Sequence, residues 1–210
     1  MGKTPRAQHG VRGQRRRDEI VRAAFEVIGE RGFRGMSLAI VSEKVGLTQQ
    51  GLLHYFPSRE HLLIAVLQWR DDIDQFGVHD GNRSAAGPLW TFDSLPLLMA
   101  VNSQRPELVR LFSVLLGESV TNDHPASDYF RDRYVVSRTS MAQALREKYG
   151  PTLPSGMDCD SVATLIVALL DGLQYQWLHD PDAIDMEHLV NQFLTLVDPE
   201  WDAQPSGYSN

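Results

Sequence analysis

Residues 37–56 read SLAIVSEKVGLTQQGLLHYF, and this stretch decides the fold. Ser37 is placed to cap a short helix whose apolar positions are Leu38, Val41 and Val45. Gly46 breaks that helix, and Thr48 opens a second one that runs through Phe56. Two short helices around a glycine turn, the second polar at its start, form the geometry that lays a helix in the DNA major groove. The first helix must bury its apolar face so that the turn at Gly46-Leu47 holds the second outward. Gln49 and Gln50 then stand where an amide can donate and accept on an adenine edge. Thr48 and the first backbone amides face phosphate.

The pattern extends in both directions. Upstream, Ile20, Val21, Ala24, Phe25 and Ile28 fall on one face of a helix that begins near Arg15 and ends near Arg31, at Gly32. Residues 1–13 mix Gly, Pro, Gln and basic residues without periodicity and read as a flexible basic arm, while Arg15, Arg16 and Arg17 suit contact with the DNA backbone. Downstream, Pro57-Ser58 stops the second short helix, and Ser58 caps a long fourth one from Arg59 to about Phe76. Residues 77–88 read as a loop. A fifth helix is expected over 89–103, kinked near Pro96. A sixth opens at Pro106, and a seventh opens at Pro125 and ends at Tyr149-Gly150. After a second loop, 150–157, Val162, Leu165, Ile166, Leu169, Leu173 and Trp177 mark an eighth helix. Asp185 caps a ninth through Val197, and 198–210 reads as a frayed tail. No strand-period alternation of useful length occurs, so the fold class is all-α with about nine helices. The division is an arm (1–13), a helix-turn-helix domain (14–60), a helical ligand-binding and dimerisation domain (61–197) and a flexible tail (198–210).

Composition bounds the function. With 42% hydrophobic and 22% charged residues, the chain is of ordinary globular type. No apolar run approaches the roughly 18–20 residues of a membrane span, and no signal-type apolar run follows the basic start. The expected location is the cytoplasm, with no membrane partner. The net charge of −7 argues at first against a nucleic-acid partner, but its distribution points the other way. Residues 1–60 hold eleven Lys/Arg against six Asp/Glu, and the remainder holds nine against twenty-one. A cationic end over an acidic body fits a polyanion met at one end only.

The run from Ile20 through Leu63 resembles the TetR family of bacterial regulators. The residues that carry the likeness are Glu30-Arg31-Gly32-Phe33, Ser37 at the second helix start, Gly46-Leu47-Thr48 at the turn, and His54-Tyr55-Phe56-Pro57-Ser58-Arg59-Glu60 leading to Leu62-Leu63. The resemblance implies a dimer bound to double-stranded operator DNA, palindromic in form, and repression rather than activation. It implies DNA contacts from Arg15, Arg16, Arg17, Ser37, Thr48, Gln49, Gln50, Gly51, Leu53, His54, Tyr55 and Arg59. Three positions depart from the family pattern. Val41-Ser42 stands for the usual Ile-Ala, Arg59 for a frequent Lys, and Leu53 for a Tyr that commonly touches phosphate. Leu53 removes that contact, leaving His54 or Tyr55 to supply it.

In TetR-like proteins the remaining part forms the dimer and encloses an effector pocket. A single short helix reads too few base pairs for selectivity, so two copies about one DNA turn apart are expected. The helices around 161–178 and 185–197 are the expected interface. The residues expected to meet a small-molecule effector are Trp69, Trp90, Met99, Phe112, Tyr134, Asp171, Gln174 and Tyr175, although aromatic residues at helical spacing also build cores. Asp171 and Gln174 either orient a ligand or sit as hydrogen-bonded residues at an interface. No set of His or Cys has metal-site spacing, no cofactor is implied, and no phosphate loop or nucleophile motif occurs, so an enzyme is not expected. Two readings of the body stay open: an effector-released repressor, and a constitutive dimeric DNA binder whose body is a protein-interaction module.

Overall fold

The computed structural model describes residues 5–76, 90–121 and 123–201, with side chains described from residue 12 and not at 73–76. The helices are α1 (Pro5–Gly35), α2 (Leu38–Lys44), α3 (Gln49–Tyr55), α4 (Arg59–Phe76), α5 (Leu95–Ser103), α6 (Pro106–Ser119), α7 (Ser127–Tyr149), α8 (Cys159–His179) and α9 (Met186–Val197). A 3-10 turn at Phe92–Ser94 precedes α5, and among the described residues the one β-type pairing is an isolated bridge between Thr152 and Asp158. The predicted loop at 77–88 and the tail beyond Trp201 lie outside the described residues.

Local chemistry accounts for the helix starts. Ser37 Oγ accepts from Ile40 N–H at 3.2 Å, Thr48 Oγ1 from Gly51 N–H at 3.0 Å and Asp185 Oδ1 from His188 N–H at 2.9 Å. Each such cap is worth about 1 kcal/mol. Asp158 caps α8 in the same way, on Ser161 N–H at 2.9 Å, one turn ahead of the first apolar marker of that helix.

The structure departs from the sequence-based expectation at several places. The backbone is helical from Pro5, so residues 5–13 are not an irregular arm. Proline suits a first helical position, and the Arg and Gln that follow are good helix formers. At Gly32 a φ of 69° interrupts α1, a conformation that favours glycine, and the helix resumes to Gly35. Pro96 does not kink the fifth helix; it sits in the first turn of α5, after the 3-10 turn. Pro125 lies before the Ala126 N-cap of α7 rather than in its first turn. The start of the tail is also ordered. Tyr149 Oη donates to the buried Asp198 carboxylate at 2.7 Å, the Trp201 ring meets Phe92 edge-on at 5.5 Å, and Trp201 Nε1 donates to Asn191 Oδ1 at 3.2 Å.

Two cores result. One joins Ile20, Ala24 and Ile28 of α1 with Val41, Leu52, Phe56, Leu62 and Leu67, and continues into Leu108, Leu111, Phe112 and Leu115 of α6 and Phe130 of α7. The other packs α5, the second half of α7, α8 and α9 around Leu95, Met99, Leu145, Ile166, Leu170 and Val190. Packing therefore does not divide at residue 60. A unit of some forty-five residues is marginal on its own, and α6 adds Leu108, Leu111, Phe112 and Leu115 to its core. Val109 of α6 belongs to the second core, so one helix serves both.

Trp201→Ala is expected to lower unfolding stability by about 1–3 kcal/mol through lost aromatic packing and the Asn191 hydrogen bond. Urea denaturation with an unchanged midpoint would show that the segment after α9 contributes nothing.

Candidate nucleic-acid interface and effector cavity

The turn between α2 and α3 is fixed from several sides. Gly46 takes φ 66°, in the left-handed region, and Leu47 N–H donates to Ser42 C=O at 2.8 Å. A Cβ on Gly51 would lie 3.2 Å from Thr48 Oγ1 and crowd the cap, so glycine there permits the tight start of α3. Leu52 is fully buried, which anchors one face of this helix, while Gln49, Gln50, Leu53 and His54 are exposed on the other side. Tyr55 is half-buried, packed on the first core and edge-on to His54 at 5.7 Å.

The arginines assigned to DNA have intramolecular work as well. Arg16 Nη2 donates to Val45 C=O at 2.6 Å, at the C-terminus of α2. The Arg17 guanidinium lies 4.6 Å over the Phe56 ring. That of Arg59 lies 4.2 Å over Phe33 and donates to Met36 C=O at 3.4 Å. Arg16, Arg17 and Arg59 thus clamp the helix junctions, and Arg15 is exposed. Ser37 is engaged as the cap of α2.

Of the eight residues assigned to an effector, four line one small cavity: Trp90, Phe112, Asp171 and Gln174. Tyr134 supports it from α7, donating to Asp171 Oδ2 at 2.6 Å. Three lie elsewhere. Trp69 packs edge-on against Phe25 at 5.3 Å, in the core of the DNA-binding part. Met99 is fully buried in the second core. Tyr175 donates to Ser113 C=O and bridges α8 to α6. Periodicity marks Trp69 and Met99 as inward-facing without telling which interior they face, and Tyr175 is partly exposed.

Sequence reading missed Arg70, Asn102 and Arg133, which also line the cavity. Arg70 is 2% exposed. Its guanidinium and that of Arg133 lie 4.0 and 4.7 Å from the centroid of Phe112. Arg133 Nε donates to Asp71 Oδ1 at 2.9 Å, Arg70 Nη1 lies 3.7 Å from the same oxygen, and Tyr129 Oη donates to Asp71 and to Leu67 C=O. Asp71 of α4 therefore ties that helix to α7. One signal could have flagged Arg70: it follows an apolar run in α4 on the buried side. Among the described residues, Trp90 Nε1 and Gln174 Oε1 are buried with no hydrogen-bond partner. The cavity is about 20 Å³, room for one water molecule. A second hollow of about 510 Å³, beside Lys148, Tyr149 and Trp201, shares no residue with α1–α4.

A short helix, a glycine turn and a second helix with an exposed outer face form a helix-turn-helix, the unit that docks in the DNA major groove. The chain belongs to the TetR family of bacterial regulatory proteins. Residues 20–66 match the model of that family, and residues 95–201 match the C-terminal model of BetI-type transcriptional repressors. It is similar to the HTH-type transcriptional regulator RutR of Escherichia coli K12, with 31% identity over 117 residues, which is 52% of each chain. That match spans about half of RutR's length. Similarity to the HTH-type transcriptional regulator PksA of Bacillus subtilis strain 168 is lower, at 24% identity, but covers 88% of this chain and 89% of PksA. The fold is also that of NalD, the secondary repressor of the MexAB-OprM multidrug efflux pump in Pseudomonas aeruginosa, with a TM-score of 0.65 at 21% identity over 90% of this chain and 98% of NalD. No helix among the described residues is long and apolar enough to cross a membrane.

Burial pushes the Asp171 carboxyl above its ordinary range, partly offset by the Tyr134 hydrogen bond and by Arg133 and Arg70. Folding thus favours its neutral form more than the unfolded chain does, so the stability linked to it is present below about pH 4 and is lost as pH rises through the raised value. Asp171→Asn keeps an acceptor for Tyr134 and removes the charge. Relative to wild type, the variant is expected to gain stability at pH 7 and to lose that advantage toward pH 4. Thermal melts that differ by a constant amount across this range would contradict a buried, charge-penalised Asp171.

Proposed function

We propose that this protein is a homodimeric repressor that reads a two-fold operator through α3 and leaves it when a small molecule enters the cavity lined by α4, α5, α6, α7 and α8. The observation that carries the reading is the recognition helix itself. Its buried Leu52 holds it to the domain, and Gln49 and Gln50 remain exposed for base edges. Arg15, His54 and Tyr55 then serve the phosphate backbone, with Arg16, Arg17 and Arg59 adding positive charge while they hold the helices.

Dimerisation draws support from two apolar stripes. Leu165, Ala168, Gly172 and Tyr175 follow one another on α8 at spacings of three, four and three, and Leu189, Phe193 and Leu196 do so on α9 at four and three. Leu165, Tyr175, Leu189 and Leu196 are exposed large hydrophobics, and such stripes suit a four-helix seam between two copies.

Release follows from the path of α4. Arg59 begins this helix directly after the recognition helix, and Arg70, eleven residues on and roughly 16 Å along it, lines the cavity. A ligand that separates Arg70 and Phe112, or satisfies Gln174 Oε1 and Trp90 Nε1, favours a shifted α4. By differential affinity it then favours the conformer that does not fit the operator. The second hollow touches none of α1–α4 and offers no such lever. A competing reading, a dimeric DNA binder that needs no effector, is favoured by the small volume of the cavity, which must enlarge to admit any ligand beyond water.

Fluorescence anisotropy with DNA flanking the protein's own gene, at two salt concentrations, tests the reading. Gln49→Ala with Gln50→Ala is expected to weaken specific binding by roughly 10- to 100-fold while non-specific, salt-sensitive binding persists. Loss of neither would remove these residues from base recognition. Specific binding that no compound of a broad panel releases would favour the effector-free reading.

A further inference from the structure

We infer that Leu53 is a specificity-determining residue that selects thymine in each operator half-site by packing on the C5-methyl group. The inference rests on α3 being the DNA-reading helix. Three apolar or aromatic side chains occur in α3. Leu52 is fully buried and Tyr55 packs on the first core, but Leu53 is 38% exposed. Among the residues of α1–α4 whose side chains are described, it is the one large hydrophobic left exposed. Leu53 comes four residues after Gln49 and three after Gln50, so the three share one face of the helix.

That placement restricts what Leu53 can read. Leucine neither donates nor accepts a hydrogen bond, and the major-groove edge that offers it a complementary surface is thymine with its methyl group. Cytosine presents an amino donor there instead, which leucine would strip of water without replacing the bond. Leu53 therefore both favours thymine and disfavours cytosine. With two adjacent glutamines suited to adenine, the exposed face of α3 is built for an A·T-rich half-site.

The test uses the full-length protein and a duplex selected with it from a random DNA library. Each thymine of the selected duplex is replaced in turn by deoxyuridine, which removes the methyl group and nothing else, and binding is followed by anisotropy. One thymine per half-site is expected to lose about fourfold in affinity, the factor for one buried methyl-sized group, and about 15-fold when both half-sites are changed. Leu53→Ala is expected to bind the thymine and uracil duplexes equally, and Leu53→Met to retain most of the preference. Unchanged thermal melts would show that both variants fold. If no thymine methyl matters, or if Leu53→Ala keeps the wild-type preference, the assignment of Leu53 is overturned while operator binding stands. A library that enriches no sequence overturns the DNA-reading role of α3 and this inference with it.

Discussion

The head of this molecule shares its core with the body. Ile20, Ala24 and Ile28 of α1 share one core with residues of α2, α3, α4 and α6, and α1 packs on α6 as well as on α4 and α2. The position of the recognition helix is therefore set by contacts with the body as much as by the turn at Gly46. A displacement of α6 or α4 within the body is transmitted to the head through close-packed side chains, because such a core accommodates a shift by moving as a unit.

The polar junction at Asp71 gives that transmission a direction. Arg133 and Tyr129 of α7 meet Asp71 of α4, and the guanidiniums of Arg70 and Arg133 both lie over the Phe112 ring of α6. Three helices thus converge where the cavity lies. Charged groups so placed are held by a set of partners rather than by one, and removing one partner leaves the others exposed to an uncompensated interior. The same arrangement can have more than one satisfied state, which is what a ligand-biased equilibrium needs.

Much of the fold is legible in the sequence because its signals are local. Ser37, Thr48 and Asp185 cap within three residues of themselves, and the apolar period of α1 or α8 is visible in a single window. The failures have physical causes of their own. Pro96 and Pro125 announce a break in the chain without stating on which side of it the helix lies. Trp201 takes its order from Phe92 and Asn191, which are distant or lie on the preceding helix. The cavity was half visible. Trp90, Phe112, Asp171 and Gln174 follow from inward periodicity, but Trp69 and Met99 obey the same periodicity and face other cores. Arg70 and Arg133 escaped because an arginine turned inward is explained by partners on other helices, and nothing in a linear pattern records them.

The recognition helix and its cap divide the labour of folding and reading between different positions. Thr48, Gly51 and Leu52 hold the helix in place, through a cap, a close approach and a buried side chain. Gln49, Gln50, Leu53 and His54 contribute little to that hold. Substitutions on the outward face are accordingly cheap for stability even where they are costly for recognition. A lineage carrying this scaffold can drift from one operator to another by changing side chains that the fold does not monitor, and two copies of a gene can diverge in target while keeping the same body.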